Sequence, residues 1–95
     1  MSLFAKFRRR KEDPELARRT ALLRSGRLGE AMVLGTDTNG EGHVILSYNY
    51  TIGGVDYQSF QQLNAEQLNR KYDYLPGARV QLRYDPQRPA NSFVV

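Results

Sequence analysis

The 95-residue chain has no cysteine, no tryptophan and one histidine. Without cysteine it can form no disulfide, no thiolate metal site and no thiol nucleophile. That suits a reducing cytoplasm, which is the expected location, with the inner face of the membrane as a variant of it. Long apolar runs are missing too. The longest aliphatic stretch is Ala31-Met32-Val33-Leu34, far short of the ~18–20 residues a membrane-spanning helix needs. A secretory signal is not expected, because Phe4, Ala5 and Phe7 precede the basic run instead of following it. Basic residues are scarce over most of the chain. Residues 28–95 carry five basic and seven acidic side chains, whereas residues 1–27 carry nine basic and three acidic ones. The formal net charge of +4 is thus a basic leader joined to a slightly acidic body. Attraction to phosphate would have to come from the first quarter of the chain.

What is present reads as one small domain. Residues 1–12 form a charged tail. Asp13-Pro14 predicts a helix start, since Asp caps well and proline is accepted at the first helical position. In PELARRTALLR the residues Leu16, Thr20 and Leu23 share a face, flanked by Ala17 and Ala21, so this is the face expected to pack. Ser25-Gly26 gives the stop. From Arg27 the period becomes two: Gly29, Ala31 and Val33 alternate with Glu30, Met32 and Leu34. TDTNGEG, residues 36–42, reads as a loop.

The clearest pattern follows. Val44, Leu46, Tyr48, Tyr50 and Ile52 alternate along one strand, and Gly53-Gly54 gives a two-residue hairpin turn. Folding back pairs Ile52 with Val55, Tyr50 with Tyr57, and Tyr48 with Ser59. Thr51–Asp56, Asn49–Gln58 and Ser47–Phe60 fall on the other side. LNAEQLNRK, residues 63–71, predicts a short helix capped by Asn64 and Gln67, with Leu63 and Leu68 as a hydrophobic staple. Leu75-Pro76-Gly77-Ala78 fits a type II turn. In ARVQLRYD, Ala78, Val80, Leu82 and Tyr84 face one way and Arg79, Gln81 and Arg83 the other. Asp85-Pro86 ends that strand, DPQRPAN reverses the chain, and NSFVV is a short closing strand. The expected fold is mainly β: a small five-stranded antiparallel barrel or curved sheet, with an N-terminal helix over 13–26 and a short helix between strands 3 and 4. The β domain itself spans 27–95.

These motifs resemble a widespread bacterial family, domain-of-unknown-function family 3592. The resemblance rests on Tyr48-x-Tyr50, Gly53-Gly54 with Tyr57, Tyr74-x-Pro76-Gly77, Val80-x-Leu82-x-Tyr84-Asp85-Pro86, Pro89 and the Ser92-aliphatic ending, over about residues 27–95. It implies this fold. Family members often lie beside transmembrane helices, and the resemblance implies no activity and no catalytic residue.

Chemistry-bearing candidates are few, and no catalytic, metal or cofactor-binding residue is expected. His43 and Ser47 share a strand face but stand ~13 Å apart along it, too far for a base and its nucleophile. Asp37-x-Asn39-x-Glu41-Gly42 resembles the start of a calcium loop, yet its twelfth position is Tyr48, not a bidentate carboxylate. Gly53-Gly54 is not a phosphate loop, as neither helix nor lysine follows. Asp56 and Asp85 form no close carboxylate pair. The six tyrosines read mainly as core, with hydroxyls at the rim. Phe60, Arg79 and Arg83 are the candidate exposed recognition residues. Gly53, Gly54, Pro76, Gly77, Asp85 and Pro86 are structural turn positions. Phe4, Phe7, Arg8, Arg9, Arg10 and Lys11 could touch an anionic membrane or a partner. The expected function is a non-enzymatic β module that binds an unknown protein partner or itself. A peripheral membrane adaptor held by the basic leader is the alternative. A nucleic-acid-binding barrel comes third, because the body is acidic and its outward face offers only two arginines.

Overall fold

The computed structural model describes residues 13–95. Among the sequence expectations, the contact candidates Phe4, Phe7, Arg8, Arg9, Arg10 and Lys11 lie outside the described residues.

Asp13 caps helix α1 (Pro14–Ser25) by accepting the Glu15 N–H at 3.0 Å. Five antiparallel strands follow: β1 (Arg27–Thr38), β2 (Val44–Ile52), β3 (Val55–Gln62), β4 (Arg79–Asp85) and β5 (Arg88–Val94). Between β3 and β4 lie the single-turn helix α2 (Ala65–Leu68) and a 3₁₀ turn (Lys71–Tyr74). The strand order is β3-β2-β1-β4-β5. This is the expected barrel-like sheet, nearly closed on itself.

The β2–β3 register is the one the alternation predicts, from Ile52↔Val55 to Ser47↔Phe60. Gly53 and Gly54 both take positive φ, +59° and +82°. A side chain is strained there, so the primed two-residue turn selects glycine. The Asn64–Gln67 capping box forms as read, and Leu63 is buried, but α2 is only one turn long and Leu68 stays partly exposed. Leu75–Ala78 closes the type II turn, the Ala78 N–H donating to Leu75 O at 3.0 Å.

Three expectations need correcting. The loop read at 36–42 is shorter, because Thr36, Asp37 and Thr38 pair with Leu46, Ile45 and Val44. Polar β-branched threonine extends a strand as well as it joins a turn. The last strand begins at Arg88 and not at Asn91. Asp85 pairs with Arg88 and accepts the Gln87 N–H at 2.9 Å, so the reversal is a tight turn and Pro89 sits inside the strand. Proline is accepted there because β5 is an edge strand. Finally, α1 does not pack through Leu16, Thr20 and Leu23. Leu16 is 60% and Leu23 51% exposed, and Leu22 is the buried residue of the helix.

The reason is that arginines dock this helix. Arg18 donates to Asn91 Oδ1 at 2.9 Å and to the Ser92 carbonyl at 2.8 Å, while Glu15 grips its Nε and second Nη. Arg19 donates to the Gln62 carbonyl at 3.0 Å and lies over the Phe93 ring at 5.7 Å. Helix α1 therefore covers the outer side of β4 and β5. Gly26 ends it in an extended conformation (φ −76°). A β-carbon there would stand 2.5 Å from the Leu22 carbonyl oxygen. The helix stops where the sequence places it, and this glycine serves close approach.

Inside the barrel, Ala31, Val33, Leu46, Tyr48, Tyr50, Leu63, Tyr74, Leu82, Tyr84 and Val94 form the core. Tyr48, Tyr50 and Tyr57 stack in a row, with ring centroids 5.8 and 5.2 Å apart. The Tyr48 and Tyr50 hydroxyls do not stop at a rim. Tyr48 shares a hydrogen bond with Ser92 Oγ at 2.9 Å, and Tyr50 donates to the Pro89 carbonyl at 2.6 Å. Both tie β2 to β5 across the interior, and burial pushes the Tyr50 phenol pKa up.

Candidate functional site

Strand alternation decides what the outer face presents. Ala31 and Val33 point inward, so Leu28, Glu30 and Met32 point outward. Register places Met32 beside Asn49 and Gln58, and Gly35 beside Ser47 and Phe60. An irregularity between Val33 and Gly35 leaves Leu34 as the extra residue, partly exposed next to that row. Phe60 is 71% exposed, as the sequence anticipated. Helix α1 covers the β4–β5 half of this face and reaches β3 at its last residue, Gln62. Among the described residues nothing covers the β1–β3 half, where Leu28, Met32, Leu34 and Phe60 are exposed among short polar side chains. The alternation contained this signal: placing Ala31 and Val33 in the core sets Met32 and Leu34 outside.

A cleft adjoins the bare face. β1 pairs with β4 over Arg27–Met32, but with β2 only from Met32 onward. The early part of β1 and the Tyr50–Ile52 end of β2 therefore splay apart. The space between them is about 500 Å³, lined by Leu28, Glu30, Met32, Thr51, Ile52 and Arg79 among others. That size falls within the range of ordinary binding clefts.

The two arginines read as exposed recognition residues fare differently. Arg79 is exposed, but it is paired with Glu30 at 3.1 Å. Arg83 is not an exposed contact. It is half-buried, donating from Nη1 to the Gly26 carbonyl at 3.2 Å beneath the end of α1. Its position opposite Phe93 puts it on the side the helix covers. Sequence alternation located the correct face but could not show that a helix lies on it.

The remaining candidates are engaged locally. Asn39 Oδ1 accepts the Glu41 and His43 N–H groups, both at 3.0 Å. Asn39 thus uses its side-chain oxygen to hold the turn. His43 Nδ1 lies 3.5 Å from Glu41 on the surface. Thr51 donates to Asp56 at 2.7 Å, and Asp85 holds its own turn. Among the described residues, no group of three or more His, Cys, Asp or Glu side chains is placed to hold a metal. Among the same residues, no helix is long and apolar enough to cross a membrane.

A five-stranded, nearly closed antiparallel sheet with an arginine-docked N-terminal helix defines a small β-barrel-like module. The chain belongs to the DUF3592 family, a domain of unknown function, whose model matches residues 25–95. No curated protein and no solved structure matches it.

Proposed function

We propose that this domain is a non-enzymatic protein-interaction module, acting in the cytoplasm through the bare outer face of β1–β3 and the adjoining cleft. One observation carries the reading. Among the described residues the same sheet face is covered by α1 on β4–β5 and left open on β1–β3, where Met32, Leu34 and Phe60 are exposed. Clustered apolar side chains rimmed by polar ones suit a protein surface better than free solvent. The cations available here do not favour nucleic acid: Arg79 is paired with Glu30 and Arg83 is turned under the helix.

The test is a photoreactive benzoylphenylalanine in place of Phe60, introduced in the cells that make the chain. The expected result is one discrete crosslinked species, lost when Leu34→Glu is added to the still-folded domain. Diffuse labelling, or labelling indifferent to Leu34→Glu, would sink the reading.

A further inference from the structure

The two edges of the sheet are treated differently. β5 contains Pro89, which has no N–H to offer. The backbone of Val94 near its end is held by side chains: Gln61 accepts its N–H at 2.7 Å, and Gln61 and Gln67 donate to its carbonyl at 3.0 and 2.9 Å. β3 contains no proline and only one charged residue, Asp56.

Pairing fixes which backbone groups of β3 are already used. The two-residue turn makes Ile52 and Val55 a bonded pair, and the Leu63 N–H donates to the Val44 carbonyl at 2.9 Å in the same phase. Val55, Tyr57, Ser59 and Gln61 therefore turn their N–H and C=O toward β2. Asp56, Gln58, Phe60 and Gln62 turn theirs away. Arg19 holds the Gln62 carbonyl. Among the described residues nothing bonds the backbone of Asp56, Gln58 or Phe60. An edge of this kind, without proline or lysine, is a template for another strand.

Resting on the interaction reading above, we propose that β3 pairs antiparallel with β3 of a second copy, about a two-fold axis through Gln58. A second copy fits because this edge is its own complement. In that register Gln58 faces Gln58 and Asp56 faces Phe60 of the second copy, so all three residues exchange both of their bonds. Moving the axis to residue 57 would set Phe60 against the turn residue Gly54. Moving it to residue 59 would set Asp56 against Gln62, whose carbonyl is taken. Moving it to residue 56 would bring two aspartates face to face, a destabilising pair. The proposed register avoids all three and joins the bare outer faces of both copies into one surface.

The test uses the full chain, which has no cysteine, so one introduced thiol reports unambiguously. Bonded antiparallel partners have Cα atoms about 5.5 Å apart, within the ~4.4–6.8 Å span of a disulfide. Gln58→Cys is therefore expected to form a covalent dimer under mild oxidation. Asp56→Cys, ~13 Å or more from its own copy along the strand, is expected to stay monomeric. Sedimentation equilibrium of the unmodified chain is expected to show a concentration-dependent dimer. Gln58→Pro, which removes an N–H from the free edge, should weaken that dimer about tenfold or more while circular dichroism stays β-rich. A dimer that crosslinks through Asp56→Cys but not Gln58→Cys overturns the proposal. So does a chain that sediments as a monomer at every concentration. If that monomer still crosslinks to another protein through position 60, the interaction reading survives. If it crosslinks to nothing, both fall.

Discussion

Gln61 does with a side chain what a strand would do with a backbone. Its amide accepts the Val94 N–H and donates to the Val94 carbonyl, copying a peptide group across the gap between β3 and β5. Gln61→Leu keeps the size but leaves a buried Val94 N–H unpaired, so stability should fall by about 1–3 kcal/mol. Urea unfolding followed by tyrosine fluorescence checks this. Gln67 still holds the carbonyl, which keeps the loss below that of opening the whole contact. Gly26→Ala is the other single-residue test. The new β-carbon would press on backbone, not on a yielding side chain. A loss of about 1–3 kcal/mol is expected in the same assay. No appreciable change would mean that the helix end relaxes freely.

At the scale of elements, α1 stays on the barrel through Glu15, Arg18 and Arg19 and not through a leucine stripe. The hydrogen bond from Arg18, helped by Arg19 against a partial cost of burial, lowers the Glu15 pKa from 4.5 to about 2. The folded chain therefore keeps Glu15 ionised where the unfolded chain has taken up a proton. This contribution is fully present above about pH 4.5 and fades as the pH falls toward 2. Glu15 is nearly half exposed, and solvent screening limits the effect to about 1 kcal/mol. Glu15→Gln should lower stability by that amount at pH 7 and flatten the acid limb of the stability–pH curve. Arg18→Met should go further, because it also releases Asn91 and Ser92. Faster amide exchange across 14–25, with the β2–β3 hairpin unchanged, is the expected signature.

At the scale of the molecule, the outer face splits, among the described residues, into a half that α1 covers and a half that it does not. Phe60→Ser removes a large exposed ring that supports nothing in the fold, so stability should stay within about 0.5 kcal/mol. Tyr48→Phe, a far smaller change, should cost about 1–2 kcal/mol by stranding the buried Ser92 hydroxyl. Thermal melts of the two variants make the comparison. A costly Phe60→Ser would mean that this face is structural after all.

The amino-acid sequence by itself determined what is local. Period-two alternation, Gly53-Gly54, the Asn64–Gln67 capping box and Pro76-Gly77 set the hairpin, its register, the short helix and the turns, because each depends on neighbours in the chain. Phe60 was legible as an exposed residue for the same reason: its face follows from the register. Tertiary structure decided what depends on distant partners. It selected Arg18, Arg19 and Leu22 over Leu16 and Leu23 as the docking face, because the Asn91 side chain and the Ser92 and Gln62 carbonyls wait on strands far along the chain. It turned Arg83 under a helix end, carried Pro89 into an edge strand, and let Gln61 close the barrel. Side-chain periodicity reports which residues share a face. Only the folded chain determines what that face meets.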